Sequence, residues 1–240
     1  TSIEHRPAWW KKADVFIDLG VMNMGETALA ESLERLGERP MILKRLALIA
    51  MVKQDVNTAR VYLGALSKTP FHVDWANAYL KLLDSGADLS TDKRVRHLTS
   101  LTMENDYGFT GYQPERILLD LLDKNRYNHL AFEYLMAWYL LTSQLDKFVQ
   151  NLHRLDDFDY PQIPPLYEQA ILVHQVLTGK KVDLKGRQIS PQTYDLAHRF
   201  SIISTSEDAT DRLTAMRLTL RDFGDSYLFY FNFGDLGIAK

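Results

Sequence analysis

The seven histidines, His5, His72, His97, His129, His153, His174 and His198, include no two that lie three or four residues apart. That spacing is what sets two imidazoles on one helical face around zinc. With no cysteine in the chain, thiolate metal sites, disulfides and cysteine nucleophiles are excluded. No metal and no cofactor is expected. His129 with Glu133 and His153 with Asp156 have the spacing of an acid–base dyad and equally of a helix-surface pair. Neither has a nucleophile beside it, which favours the surface pair. Asp156, Asp157 and Asp159 offer carboxylates for general acid and base work, yet neighbours in one loop need not face one substrate. A solvated turn before Tyr160-Pro161 is the simpler reading. Asp222-Phe223-Gly224 spells a magnesium-binding triplet of kinases without the glycine-rich and catalytic loops that give it meaning. Gly224 reads instead as a left-handed stop to the last long helix. The sequence also has no G-x-G-x-x-G, G-K-[ST] or G-x-S-x-G, so nucleotide-binding and hydrolase readings lose their usual support. No reaction is identified, and the expectation is a protein that is not an enzyme.

Two aromatic groups carry binding readings. Tyr107, Phe109 and Tyr112 alternate with glycines in one loop, as in a stacking platform for a sugar or peptide, or as a plug between sub-blocks. Tyr227, Leu228, Phe229, Tyr230, Phe231 and Phe233 are too apolar to be left in water, so they read as a terminal cap or a partner's docking segment. A net charge of -3 gives no global reason to expect nucleic acid, and the basic cluster Lys93, Arg94 and Arg96 reads as a solvated helix face. The longest run of aliphatic residues and methionine, Leu46 to Val52, is far below the roughly 20 residues of a membrane span.

The elements that position these residues are helices. Ala13, Phe16, Ile17 and Gly20 form one helical stripe, and Asn23 with Glu26 has the form of a capping box opening the next helix. That helix carries Leu29, Leu33 and Leu36 and ends near Gly37. The pattern returns thirty residues later: Ala13 answers to Leu43, Phe16 to Leu46, Leu19 to Ile49, Gly20 to Ala50, Leu29 to Ala59, Leu33 to Leu63, Leu36 to Leu66 and Pro40 to Pro70. A third unit opens at Pro70 with Ala76, Tyr79 and Leu80. Such a register marks a repeat array, in which one hairpin buries its apolar face only against its neighbours. Gly20, Ala47, Ala50 and Ala59 are small enough to let the helices approach. Further helices are expected at 92–104, 114–124, 128–141, 144–154, 164–178, 191–203 and 208–222, with loops at 105–113 and 179–190. Strand signals are nearly absent.

Leu46, Ala47, Ala59, Leu63, Leu66 and Pro70 resemble the tetratricopeptide repeat in their order of small and large apolar residues. The first unit departs from it at Leu29, which stands where the repeat has a small residue. The likeness covers residues 10–83 and more loosely 128–160. It implies stacked antiparallel helix hairpins in a right-handed superhelix: repeats over 1–90, then continuing repeats over 91–240 closed by the aromatic cap, in one array. The segments from Gly37 to Ile49, Ala131 to Ala137 and Gln144 to Val149 resemble a bacterial family of unknown function in which a multi-pass membrane portion precedes a helical-repeat tail. That resemblance implies a soluble domain of the cell envelope, tethered through a segment before this chain. Thr1 in place of an initiator Met, and the interfacial mixture Arg6, Trp9, Trp10, Lys11 and Lys12, agree with it.

These readings lead to a non-catalytic scaffold that holds a peptide or protein partner, with a carbohydrate or small-ligand module second and an enzyme third. In a tetratricopeptide-like stack the first helix of each unit lines the inner surface. The register places Lys11, Asp14, Asp18 and Met22 there from the first unit, and Met41, Lys44, Leu48 and Met51 from the second. Methionines adapt to varied apolar partners, and the flanking charges orient them.

Overall fold

The computed structural model describes residues 9–103 and 113–236. Thirteen α-helices and three short 3-10 segments account for most of them, and no strand occurs among the described residues. The aromatic loop of Tyr107, Phe109 and Tyr112, and Arg6, lie outside the described residues. By its internal packing the chain forms two units, one ending at Glu133 and the other beginning at Tyr134, whereas the thirty-residue register ends near residue 90.

The first unit opens with two hairpins, α1 (Trp9–Leu19) on α2 (Met22–Leu36) and α3 (Pro40–Val52) on α4 (Val56–Leu66). The turn between α1 and α2 depends on Gly20. Its φ of +95° is open to glycine, and a Cβ there would lie 2.6 Å from the backbone oxygen of Leu101. Because the chain reverses so tightly, α2 starts at Met22 with Val21 at its N-cap, so Asn23 and Glu26 fall inside the helix. They accept instead from Lys53 Nζ, at 2.8 and 2.6 Å. The expected capping box is therefore a docking point for Lys53, which pairs with the Glu26 carboxylate and hydrogen-bonds Asn23, its register equivalent thirty residues earlier. Asp55 caps α4 by accepting from the Thr58 amide at 3.1 Å.

Both members of Ala13/Leu43, Leu19/Ile49 and Leu29/Ala59 are buried. At Phe16/Leu46, Leu33/Leu63 and Leu36/Leu66 only the residue of the second hairpin is fully covered, as befits a first hairpin with a neighbour on one side. α5 (Val73–Asp84) packs on α4, and α6 (Lys93–Leu101) packs on α1 and α3. After α7 (Pro114–Lys124), Asn128 precedes α8 (His129–Leu141). Its buried amide donates to Leu19 O at 3.0 Å, and its Oδ1 accepts from the Ala131 amide at 3.1 Å.

The second unit contains the rest of α8 with α9 (Leu145–Asn151), α10 (Pro165–Thr178), α11 (Pro191–Ser204), α12 (Arg212–Phe223) and α13 (Tyr227–Phe233). The aromatic tail is thus a helix, with Tyr227, Leu228, Phe229 and Phe233 buried. Its tyrosines reach the carbonyls at the end of α8: Tyr227 donates to Leu140 O at 3.1 Å, which also takes the Ser143 amide, and Tyr230 to Leu141 O at 2.8 Å. α12 begins four residues later than expected, at the cap Asp211 rather than near Ser206. Gly224 ends α12 in right-handed, not left-handed, geometry, because the chain turns directly into α13 under the Ser226 cap.

Candidate functional site

Three helices of the first unit each present two residues one turn apart to a common cleft: Asp14 and Asp18 from α1, Lys44 and Leu48 from α3, Trp75 and Tyr79 from α5. Arg94 of α6, Arg45 and Ile17 complete it, around a volume of about 540 Å³. Leu48 and Ile17 make its apolar side.

The charges are held in place. Arg45 grips Asp14 with two parallel bonds, Nε at 2.5 Å and Nη2 at 2.7 Å, and its Nη1 donates to Met41 O at 2.8 Å. Arg94 Nη2 lies 2.5 Å from Asp18. The Trp75 and Tyr79 rings meet at 4.8 Å, tilted by 56°. Tyr79 donates to Asp92 Oδ2 at 2.9 Å, while Asp92 Oδ1 caps α6 through the amides of Arg94 and Val95. One carboxylate therefore anchors the aromatic wall to the helix that carries Arg94. Burial, reinforced by that hydrogen bond, pushes the Tyr79 hydroxyl up to about 12. Lys44 stands apart: its ammonium lies 4.7 Å from the Trp75 ring centroid, and no carboxylate or carbonyl among the described residues accepts from it.

Of the eight residues expected on an inner surface, the cleft unites Asp14, Asp18, Lys44 and Leu48. Lys11 and Met41 are exposed but do not line it. Met22 and Met51 do not belong to any surface: both are 0% exposed, enclosed in the core cluster that also holds Val95 and Leu98 of α6. The register assigned them to the inner face of the first helices, but Met22 opens α2 instead, and Met51 lies at the end of α3, which packs on α6. Lys93, Arg94 and Arg96 are exposed, as a solvated basic face requires, and Arg94 is in addition Asp18's partner across 76 residues. Arg45, Trp75 and Tyr79 were not singled out as site residues; the i, i+4 spacing of Trp75 and Tyr79 was the available signal.

The second unit has an open cleft of about 440 Å³ between α10, α11 and the α12–α13 turn, with Arg221, Asp222 and Asp225 at its rim. The Asp222-Phe223-Gly224 triplet falls here. Phe223 is 2% exposed and packs edge-on against Phe200 at 5.4 Å, so the triplet serves the core. His129 and Glu133 form an exposed pair at 3.6 Å. The dyad spacing of His153 and Asp156 is not used: His153 Nδ1 meets Gln150 O at 2.8 Å, while Asp156 binds Arg187 at 2.6 Å. A different pair, His174 Nε2 with Asp146 at 3.0 Å, joins α10 to α9 across 28 residues. His174 is buried, with Nδ1 unpartnered and Nε2 the nitrogen that meets the carboxylate. No group of three or more metal-ligating side chains occurs among the described residues.

These features define an all-helical protein with an amphipathic cleft, and no described helix is long and apolar enough to cross a membrane. The chain belongs to a family of unknown function (DUF6057), whose model matches residues 5–234. No curated protein and no solved structure matches it.

Proposed function

We propose that the chain is a non-catalytic scaffold that holds a peptide or protein partner, and that the cleft of α1, α3, α5 and α6 is where it does so. The observation that carries this is the convergence of an apolar side, two aromatic rings and internally paired charges in one open cleft on packed helices. Such a surface is preorganised, so a partner loses little to ordering it. Neither cleft is lined by a histidine, and the carboxylates of the first are already held by arginines, which favours recognition over acid–base chemistry. Lys44 covers a face of Trp75, which favours a peptide over a sugar stacking there. The tetratricopeptide-like stacking of the first two hairpins belongs to the same proposal, supported by the thirty-residue register and the buried Ala47, Ala50 and Ala59.

Panning a random peptide library on the full chain tests the reading. Enriched peptides that lose binding to Trp75→Ala and to the surface variant Asp18→Arg support it. Enrichment that neither change affects, with both variants folded by circular dichroism, places binding elsewhere and overturns it. The membrane-tethered, bacterial envelope setting is proposed with it, on the family resemblance and the Trp9-Trp10-Lys11-Lys12 segment. Trp10 itself packs on the first core. Recovery of the native gene product solely in the soluble fraction removes that setting.

A further inference from the structure

We infer that the cleft is built for an acidic peptide segment, one carboxylate side chain flanked by an apolar residue. This rests on the scaffold reading and names its ligand class.

The reasoning starts from charge. Lys44, Arg45 and Arg94 bring three cations to the cleft and Asp14 and Asp18 two carboxylates, a surplus of 3 − 2 = +1. Both carboxylates are neutralised within the protein, Asp14 by the bidentate grip of Arg45 and Asp18 by Arg94. The surplus therefore resides on Lys44, whose only partner among the described residues is the ring of Trp75. An ammonium over an indole keeps its N–H groups for another acceptor, because the ring attracts the charge without accepting all three. Arg94 binds Asp18 through one nitrogen and is half exposed, so further donors face the same opening. One unspent positive charge matches a monoanion such as a carboxylate. A phosphate, with its greater charge, calls for more unpaired cations than the cleft holds.

Leu48, Ile17 and Trp75 line the cleft with these donors, so the recognised carboxylate has an apolar neighbour. The cleft volume of about 540 Å³ is of binding-pocket size, and the cleft is open to one side rather than enclosed, as a side chain entering from a bound segment requires. Lys44 also guards the site: a basic segment meets it head-on, while an acidic one finds Asp14 and Asp18 already paired with arginines and Asp92 engaged by Tyr79 and the start of α6.

The test uses blocked, fluorescein-labelled octapeptides against the full chain, read by anisotropy. Four sets share one Leu- and Trp-containing frame and carry Glu, Gln, Lys or phosphoserine at the central position. The Glu set should bind about tenfold more tightly than the Gln set, the difference one charge-assisted hydrogen bond makes, and should weaken as salt rises. Lys44→Gln should reduce the Glu set to the level of the Gln set and leave thermal melting unchanged; Lys44→Arg should restore most of the difference. Equal binding of Glu, Gln and Lys sets, all lost in Trp75→Ala, overturns the acidic preference and leaves the scaffold reading standing. Tighter binding of phosphoserine than Glu overturns the monoanion assignment. No binding by any set removes both.

Discussion

Among the described residues the first unit buries two polar side chains, Ser32 and Asn128, whereas the second buries Glu168, Gln169, His174, Thr193, Thr219 and Ser226. The difference follows from where helix ends fall. In the first unit the caps Asp55 and Asp92 sit at exposed or half-exposed positions, where water satisfies what the side chain does not. In the second, the starts of α11 and α13 lie against other helices. Their free amides need protein partners. Glu168 takes the Ser190 amide at 3.0 Å, the Ser190 hydroxyl at 2.6 Å and the Thr193 hydroxyl at 2.5 Å. Gln169 takes the Tyr227 amide at 2.8 Å, and Ser226 takes that of Phe229 at 3.1 Å. A carboxylate at a helix N-terminus also meets the favourable end of the helix dipole. The first unit thus depends on volume and the second on polar satisfaction.

The largest expected effect tests the volume side. Leu63, 0% exposed between α3 and its own neighbours on α4, should cost about 4 kcal/mol as Leu63→Ala, through lost burial and the cavity left behind. Hydrogen exchange resolved by segment should show the loss in α1–α6 and leave α10–α13 protected. Equal loss in both would break the contrast.

Glu168→Ala comes next, at about 3 kcal/mol, because it strands three donors in a covered site. Exchange should rise first at the Ser190 and Thr193 amides. Glu168→Gln, which keeps an acceptor but loses the charge, should cost roughly half as much. If Glu168→Ala costs no more than a surface change, buried polar groups do not hold the second unit.

Tyr230→Phe removes the donor to Leu141 O at a half-exposed site and should cost about 1 kcal/mol, without changing the burial of Phe229. A cost near zero would mean that water replaces the hydroxyl and that packing alone retains α13.

The smallest effect is spectroscopic and compares one tyrosine from each unit. Tyr79 and Tyr227 are both pushed from 10.0 up to about 12, mainly by burial. The folded state then holds these protons longer than the unfolded chain does. The associated stability is complete below pH 10 and is lost as pH rises from 10 toward 12. Tyrosinate absorbance should show both groups titrating late, and Asp92→Asn should bring Tyr79 down while leaving Tyr227 unchanged. A shift of both would mean the two environments are not independent.

The helices and the thirty-residue register were legible because each is written in neighbouring residues: an apolar stripe every three or four positions, a turn glycine, a proline at the first helical position. Pairs one turn apart, Asp14 with Asp18, Lys44 with Leu48 and Trp75 with Tyr79, were equally readable as helix faces. Which faces meet was not. Asp14 finds Arg45 across 31 residues, Asp18 finds Arg94 across 76, and Glu168 finds Ser190 across 22. No local spacing encodes those separations, since they depend on how helices pack. The same packing decided against Met22 and Met51, which share the register of the expected inner-surface positions, yet Met22 opens α2 and both side chains are enclosed in the core. Hydrophobic period tells which side of a helix is apolar, while only the tertiary structure says how much of that side a neighbour covers.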